Sequence, residues 1–406
     1  MKSPIKWLVI SLILTYTLFS LIYVVLGVVS VPDGIYPGFA DLNLLLRYVD
    51  CYVNGFNPYV DKNSLCIGEL NYPFIWIKLI SLLGGNSNHT HLIGFSFILL
   101  FVLTVSFMFP KVSIKQFIIL LCLLISPPIL LLLERGNVDI IIFILIIIAI
   151  YYIRKYDKNY SIYFTYGIIL LASFLKIFPF FLVPLVLIER INFKKKIILL
   201  FSLITIFSIF VYFSLDEIKL ILLNTPRPSE LAFGKNVLLQ ELVSKNNLPY
   251  ISILPLVIMT IFFYIKRQWV FHIHNEISKH QESAFIFTSG LLIFFGIYFF
   301  GNNYDYRLVY VILFFPVIFN LNNLDVKLLL FKRFLFLSVI IILLASALHR
   351  SLPIYQNYIQ WFIFRNLFMG LKYLLLTAIV SFGAIWFFYI IKENYNEMIR
   401  TFNKKL

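Results

Sequence analysis

Five short polar strings interrupt an otherwise apolar chain of 406 residues, and their residue types limit the chemistry open to them. The first holds Asp41, then Arg47 and Asp50, then Asn54-Gly-Phe-Asn-Pro-Tyr59. The second is Asn71-Tyr72-Pro73. The third, Glu134-Arg135-Gly136-Asn137-Val138-Asp139, packs two acids, a base and an amide into a gap where a plain hairpin turn needs only Gly and Asn. The fourth is Lys176-Ile-Phe-Pro179, and the fifth runs from Gly301 through Tyr304 and Asp305 to Arg307, with His349-Arg350 one loop later. A positioned carboxylate can take a proton from an attacking hydroxyl. A guanidinium presents a fork of donors that matches phosphate. An acid near Arg135, Lys176, Arg307 and Arg350 at a bilayer edge therefore outlines glycosyl transfer from a lipid-linked sugar phosphate. Each string also has a plain reading. Asp41 suits a helix N-cap, Asn54-Gly55 and Asn57-Pro58 suit turns, and Pro73 suits a helix start. Lys176 suits a snorkelling lysine, and Asp305 could simply pair with Arg307.

The elements that must position these residues are apolar helices. Hydrophobic residues make up 61% of the chain and charged ones 13%, with a mean hydropathy of +0.91. Soluble domains carry about 25% charged residues, so a soluble fold is excluded, and so is disorder. The apolar runs do not alternate as β-barrel strands would. The expected fold is all-α, a polytopic integral membrane bundle of about twelve spans (10–13) in a single domain over 1–406. The spans are read at 6–30, 92–109, 116–133, 138–153, 160–175, 177–189, 197–215, 250–265, 284–300, 308–321, 334–348 and 368–391. Residues 72–85 are apolar but short, and read as a re-entrant or interfacial helix. Asp41 to Val53 is amphipathic, with Leu42, Leu45, Leu46 and Val49 on one face.

Lysine and arginine then set the sides. With the N-terminus in the cytoplasm, 21 of the 34 basic residues fall inside, with 7 of the 19 acids. The net charge of +15 is thus a topology signal, and nucleic acid is not an expected partner. Both termini are then cytoplasmic and all five strings face outward. The outer loop 31–91 carries Asp41, and His272, His274 and His280 fall in an inner loop and read as solvated. Cys51 and Cys66 share the outer loop, where their spacing leaves both a bridge and free thiols open. No Cys/His metal spacing occurs, so neither a metal nor another cofactor is expected.

The order Asp41, Asn-Pro-Tyr59, Tyr-Pro73, Glu-Arg-Gly-Asn137 with Asp139, Lys176-x-x-Pro179 and Tyr-Asp-Tyr-Arg307 resembles glycosyltransferase family 87 over about residues 30–310. Those enzymes are related to polyprenol-phosphate-mannose-dependent mannosyltransferases. The resemblance implies a GT-C fold, with Asp41 as general base in the first outer loop. It also implies a hexose donor on polyprenyl phosphate, mannose by the kinship, and metal-independent, inverting transfer to a glycan or glycolipid acceptor in the bilayer. Arg135, Lys176 and Arg307 would hold the donor phosphate. Asn137, Asp139, Tyr59, Tyr72, Tyr304 and Asp305 belong to the same motifs as substrate-binding candidates, and His349 and Arg350 are added from topology. One departure is Phe74, where a second proline is expected. The implied setting is a bacterial inner or plasma membrane and cell-envelope glycan biosynthesis. Two other functions fit a ring of cations. A transporter or flippase for anionic lipids would show polar residues deep in the spans and a repeat between halves. An O-antigen-type ligase or polymerase would place its large outer loop late.

Overall fold

A computed structural model describes residues 38–61, 66, 70–109, 112–155, 159–225, 232–233, 254–299, 303–320, 325–351 and 359–403. Among the described residues the regular structure is helical, apart from one two-residue antiparallel pairing of β1 (Ala232–Phe233) with β2 (Asn303–Tyr304). The helices in order are α1 (Ala40–Val53), α2 (Phe74–Leu82), α3 (Thr90–Met108), α4 (Ile114–Leu124), α5 (Pro127–Arg135), α6 (Asp139–Lys155) and α7 (Asn159–Leu175). They continue with α8 (Phe193–Phe213), α9 (Leu215–Asn224), α10 (Leu254–Ile265), α11 (Arg267–Ser278), α12 (Gln281–Phe299), α13 (Phe315–Asn320), α14 (Val326–Ser351) and α15 (Ile359–Asn403).

Among the described residues, five helices are long and apolar enough to cross a membrane, or seven if two bent pairs each count as one span. The bends are 57° between α4 and α5 and 75° between α10 and α11. The first has a local cause. Ser126-Pro127 stops one helix and starts the next, since Pro127 lacks an amide and constrains the residue before it. The expected span 6–30 lies outside the described residues. The span expected at 177–189 is wound as 3-10 helix over Phe178–Ile188, and the one expected at 308–321 starts in 3-10 helix, Asp305–Phe314, and goes on as α13. Pro179 and Pro184 remove donors that an α-helical ladder would need in the first of these.

Two compact units are drawn from several stretches each. Residues 1–177, 208–227 and 306–309 form the first. Its α1 buries Leu42, Leu45, Leu46 and Val49, the face its periodicity marks out. Phe39, Leu42 and Leu46 pack with Ile80, Ile93, Phe97 and Ile98 of α2 and α3. The second unit, residues 178–207, 228–305 and 310–406, is centred on aromatic rings. Phe331 of α14 lies 5.0 Å from Phe382 of α15, and Phe287 of α12 lies 5.2 Å from Trp386. The loop expected between residues 266 and 283 is instead the amphipathic α11, burying Val270, Ile273, His274 and Ile277 at i, i+3, i+4 and i+7. His274 is therefore not solvated: its ring stands 4.6 Å from that of Trp386.

Candidate functional site

The first unit assembles the Asp41, Tyr72, Glu134–Asp139 and Lys176 strings around one network, together with Arg307. Two backbone devices fix it. The α5 helix ends in a Schellman motif: Gly136 N–H bonds the Leu133 carbonyl and Asn137 N–H the Leu132 carbonyl. Gly136 adopts φ 58°, a left-handed conformation that favours glycine. A Cβ there would lie 3.1 Å from the Cβ atoms of Leu42 and Phe39, so α1 packs closely on this turn. The second device is Phe39, itself at φ 67°, which cannot extend α1 backwards. A bulky residue in that region costs on the order of 1–3 kcal/mol and persists only where its surroundings hold it. Here its N–H bonds the Glu134 carbonyl at 2.7 Å, and its ring fills the space beside Gly94.

These devices bring Asp41, in the first turn of α1, against the two residues flanking Gly136. Arg135 Nε donates to Asp41 Oδ1 at 2.8 Å, and Nη2 reaches the same oxygen. Asn137 Nδ2 donates to Asp41 Oδ2 at 2.6 Å and stands 3.4 Å from the Tyr72 hydroxyl. Asp41 is thus not the N-cap of α1; that position is Phe39, and no side chain caps it. Asn137 Oδ1 accepts from the Asp139 amide at 2.9 Å and so starts α6. Asp139, fully buried, faces two cations: Lys176 Nζ is 2.7 Å from Oδ1 and Arg307 Nε 3.1 Å from Oδ2. The Lys176 ammonium also lies 5.7 Å from the centre of the Tyr72 ring, within cation–π range. Trp76 donates its indole N–H to the Leu175 carbonyl, tying α2 to the end of α7 beside Lys176. Arg135, Lys176 and Arg307 thus gather around Asp41 and Asp139. Asp41 Oδ2 keeps an acceptor position beyond its bond to Asn137, and its side chain is 12% exposed. It can accept a proton from an entering hydroxyl.

The tyrosines stay neutral. Burial first, then the Asp41 and Asp139 carboxylates, push the Tyr72 hydroxyl well above the usual phenol range, against the opposing pull of Arg135. Burial and the carboxylate of Glu217 do the same to Tyr59. Tyr59 does not line the cluster through its hydroxyl. It sits 2.8 Å from the Tyr72 carbonyl and 3.1 Å from Glu217 Oε1, sharing one proton between them. Cys51, on α1, is bridged to Cys66, 15 residues on, which ties the helix bearing Asp41 to the loop leading to Tyr72.

The remaining candidates lie elsewhere. Asp305 and Arg307 take different partners: Asp305 Oδ1 contacts Lys372 Nζ of α15, both groups being buried in the second unit. The backbone of Tyr304 pairs with Ala232. The side chains of Tyr304, His349 and Arg350 fall outside the described residues. Sequence reasoning missed Glu217, Lys372, Trp76 and Tyr306. Burial pushes the Tyr306 hydroxyl well above the usual phenol range, with Arg307 and Arg135 pulling against it and Asp139 and Asp41 adding to it. Its signal was its place between Asp305 and Arg307. Among the described residues no group of His, Cys, Asp and Glu side chains could hold a metal ion. No family model, curated protein or solved structure matches the chain.

Proposed function

We propose that the protein is a membrane glycosyltransferase of the GT-C kind, resembling family 87. It moves a hexose, mannose by that resemblance, from a polyprenyl-phosphate sugar to a hydroxyl of a glycan or lipid-linked acceptor. The observation that carries the reading is the contact of Asp41 with Arg135 and Asn137 in one network with Asp139, Lys176 and Arg307. A polyprenyl-phosphate sugar is a phosphodiester with one negative charge, which Arg135, Lys176 and Arg307 complement. Asp41 Oδ2 takes the acceptor proton as the acceptor oxygen attacks the anomeric carbon. The bond from that carbon to the phosphate oxygen breaks, and the electron pair leaves with the phosphate. Attack from the face opposite the phosphate inverts the anomeric centre. The leaving group gains a second negative charge, which Arg135, Lys176 and Arg307 stabilise more strongly than the charge of the donor. A phosphate leaves without an acid to protonate it, so one carboxylate suffices.

The same reading includes about twelve spans, cytoplasmic termini and a reaction on the extracytoplasmic face of a bacterial inner or plasma membrane. The Cys51–Cys66 bridge supports that face, since disulfides persist in oxidising compartments.

The test is a transfer assay on the purified protein in lipid nanodiscs with a panel of radiolabelled polyprenyl-phosphate sugars. One donor should be consumed, and Asp41→Asn and Asp41→Ala should each lower turnover by about 10²–10⁴-fold. Wild-type turnover in both variants removes Asp41 from the base role. Arg135→Ala should weaken donor binding, and unchanged apparent affinity contradicts the phosphate assignment. Movement of intact labelled lipid between leaflets, without transfer, would assign the site to transport instead.

A further inference from the structure

The α9 helix has two unlike faces. Leu215, Asp216, Lys219, Leu222 and Leu223 are exposed, with Asp216 and Lys219 paired to each other on the surface. The opposite face reaches the loop before α2 at both ends of the helix. Near its start, Glu217 Oε1 accepts the Phe74 amide at 2.7 Å and stands 3.1 Å from the Tyr59 hydroxyl. At its end, Asn224 Nδ2 donates to the Leu70 carbonyl at 3.1 Å. Phe74 is the first residue of α2, whose N-cap, Pro73, offers no side-chain oxygen. Glu217 therefore does from 143 residues away what a capping carboxylate does locally: it meets an orphan amide and the positive end of the helix. The loop gripped at Leu70 and Phe74 contains Tyr72 between the two grips. The ring of Tyr72 meets Lys176, and its hydroxyl stands beside Asn137, the donor to Asp41.

We infer that α9 is a strap, and that Glu217 and Asn224 are positioning residues that hold Tyr72 against the Asp41 cluster. Neither touches a reacting atom. The inference deepens the glycosyltransferase reading and rests on it for its effect on rate, while the strap itself can be read without any activity.

The experiment compares wild type, Glu217→Ala, Glu217→Gln and Asn224→Ala as full-length protein in nanodiscs, by amide hydrogen exchange and by sugar transfer. Glu217→Ala should speed exchange at the Phe74 amide about tenfold or more, since that amide then has no acceptor, and should leave α12 unchanged. Its transfer rate should fall roughly tenfold, the consequence of losing one charge-assisted hydrogen bond. Glu217→Gln keeps a carbonyl acceptor and should restore both readouts to within about threefold of wild type. Asn224→Ala acts from the other end and should speed exchange across residues 70–74, which keeps the strap testable if Glu217→Ala does not fold. Unchanged exchange at residues 70–74 in both alanine variants overturns the strap. So does an equal, global increase that extends to α12, which marks a general loss of stability. If wild type transfers no sugar but the local exchange changes appear, the strap stands and the enzymatic reading falls.

Discussion

Substituting Gly94 by alanine should damage the site from a distance, through Phe39. Gly94 lies in α3, a helix that contributes no charged residue to the cluster. A Cβ built on it comes within 2.5 Å of Phe39 Cγ and 2.6 Å of both Cδ atoms. Carbon atoms rest at about 3.5–4.0 Å, so the ring must withdraw by about 1 Å. Its retreat is obstructed: Phe95 and His91 flank the ring with centroids at 5.4 and 6.1 Å, and the Gly136 turn stands behind it. Two effects oppose each other in stability. Alanine favours a helix over glycine by about 1 kcal/mol, whereas overpacking costs about 1–3 kcal/mol. The net loss of stability is therefore small, about 0–2 kcal/mol by those magnitudes. On the proposed glycosyltransferase activity, turnover is the sensitive quantity. Phe39 donates its amide to Glu134 and precedes Asp41 by two residues, so its shift passes to the carboxylate and to the turn that carries Arg135 and Asn137. Misplacement by about 1 Å can cost about 100-fold in rate. The assay is steady-state transfer in nanodiscs alongside a melting curve, with Gly167→Ala as control, since a Cβ at Gly167 meets no atom within 4 Å. Gly94→Ala should fall about 100-fold in kcat at nearly unchanged Tm, and Gly167→Ala should match wild type. Turnover of Gly94→Ala within about threefold of wild type would refute the idea that Phe39 transmits its position to Asp41.

Two further perturbations probe the same framework. Asp139→Ala leaves Lys176 and Arg307 without the carboxylate between them, and breaking a buried pair in this way costs about 3–5 kcal/mol; scanning fluorimetry should show a lower Tm, and an unchanged Tm would show that the pairs contribute nothing. The Cys51–Cys66 bridge closes a loop of 15 residues, for which restriction of the unfolded chain contributes about 3 kcal/mol. Reductant should therefore lower the Tm of wild type but not of a Cys51→Ser/Cys66→Ser variant, and equal responses would contradict this.

Much of the cluster was legible in the sequence, because charge is conspicuous among apolar runs. Asp41, Arg135, Asp139, Lys176 and Arg307 stood out for that reason, Asn137 stood out as the amide between Arg135 and Asp139, and all six lie in one network. The face of α1 was equally readable from its spacing. Partner choice was not. Asp305 and Arg307 are two residues apart and looked like a natural pair, yet each is engaged from a distant part of the chain. Glu217 carries no motif of its own. Its role depends on an amide 143 residues earlier, which no local pattern encodes. Lys372 lay hidden in the opening turns of an expected span. The burial of His274 could have been read from the i, i+3, i+4, i+7 periodicity of α11, but flanking charges disguised that stretch as a loop. The 3-10 winding of Phe178–Ile188 was signalled only as a break at Pro179.

The pairing of Asp139 with Arg307 has a consequence for how the protein is made. The two residues are 168 positions apart, and Asp41 precedes Arg135 by 94. At synthesis rates of about 5–20 residues per second, Asp139 waits roughly 8–34 s for its distant guanidinium to be translated. Of its two partners Lys176 is translated first, and until then the nascent carboxylate has neither. A single Lys176 ammonium already balances the Asp139 charge, so Arg307 arrives as a second cation on a pair that is neutral without it.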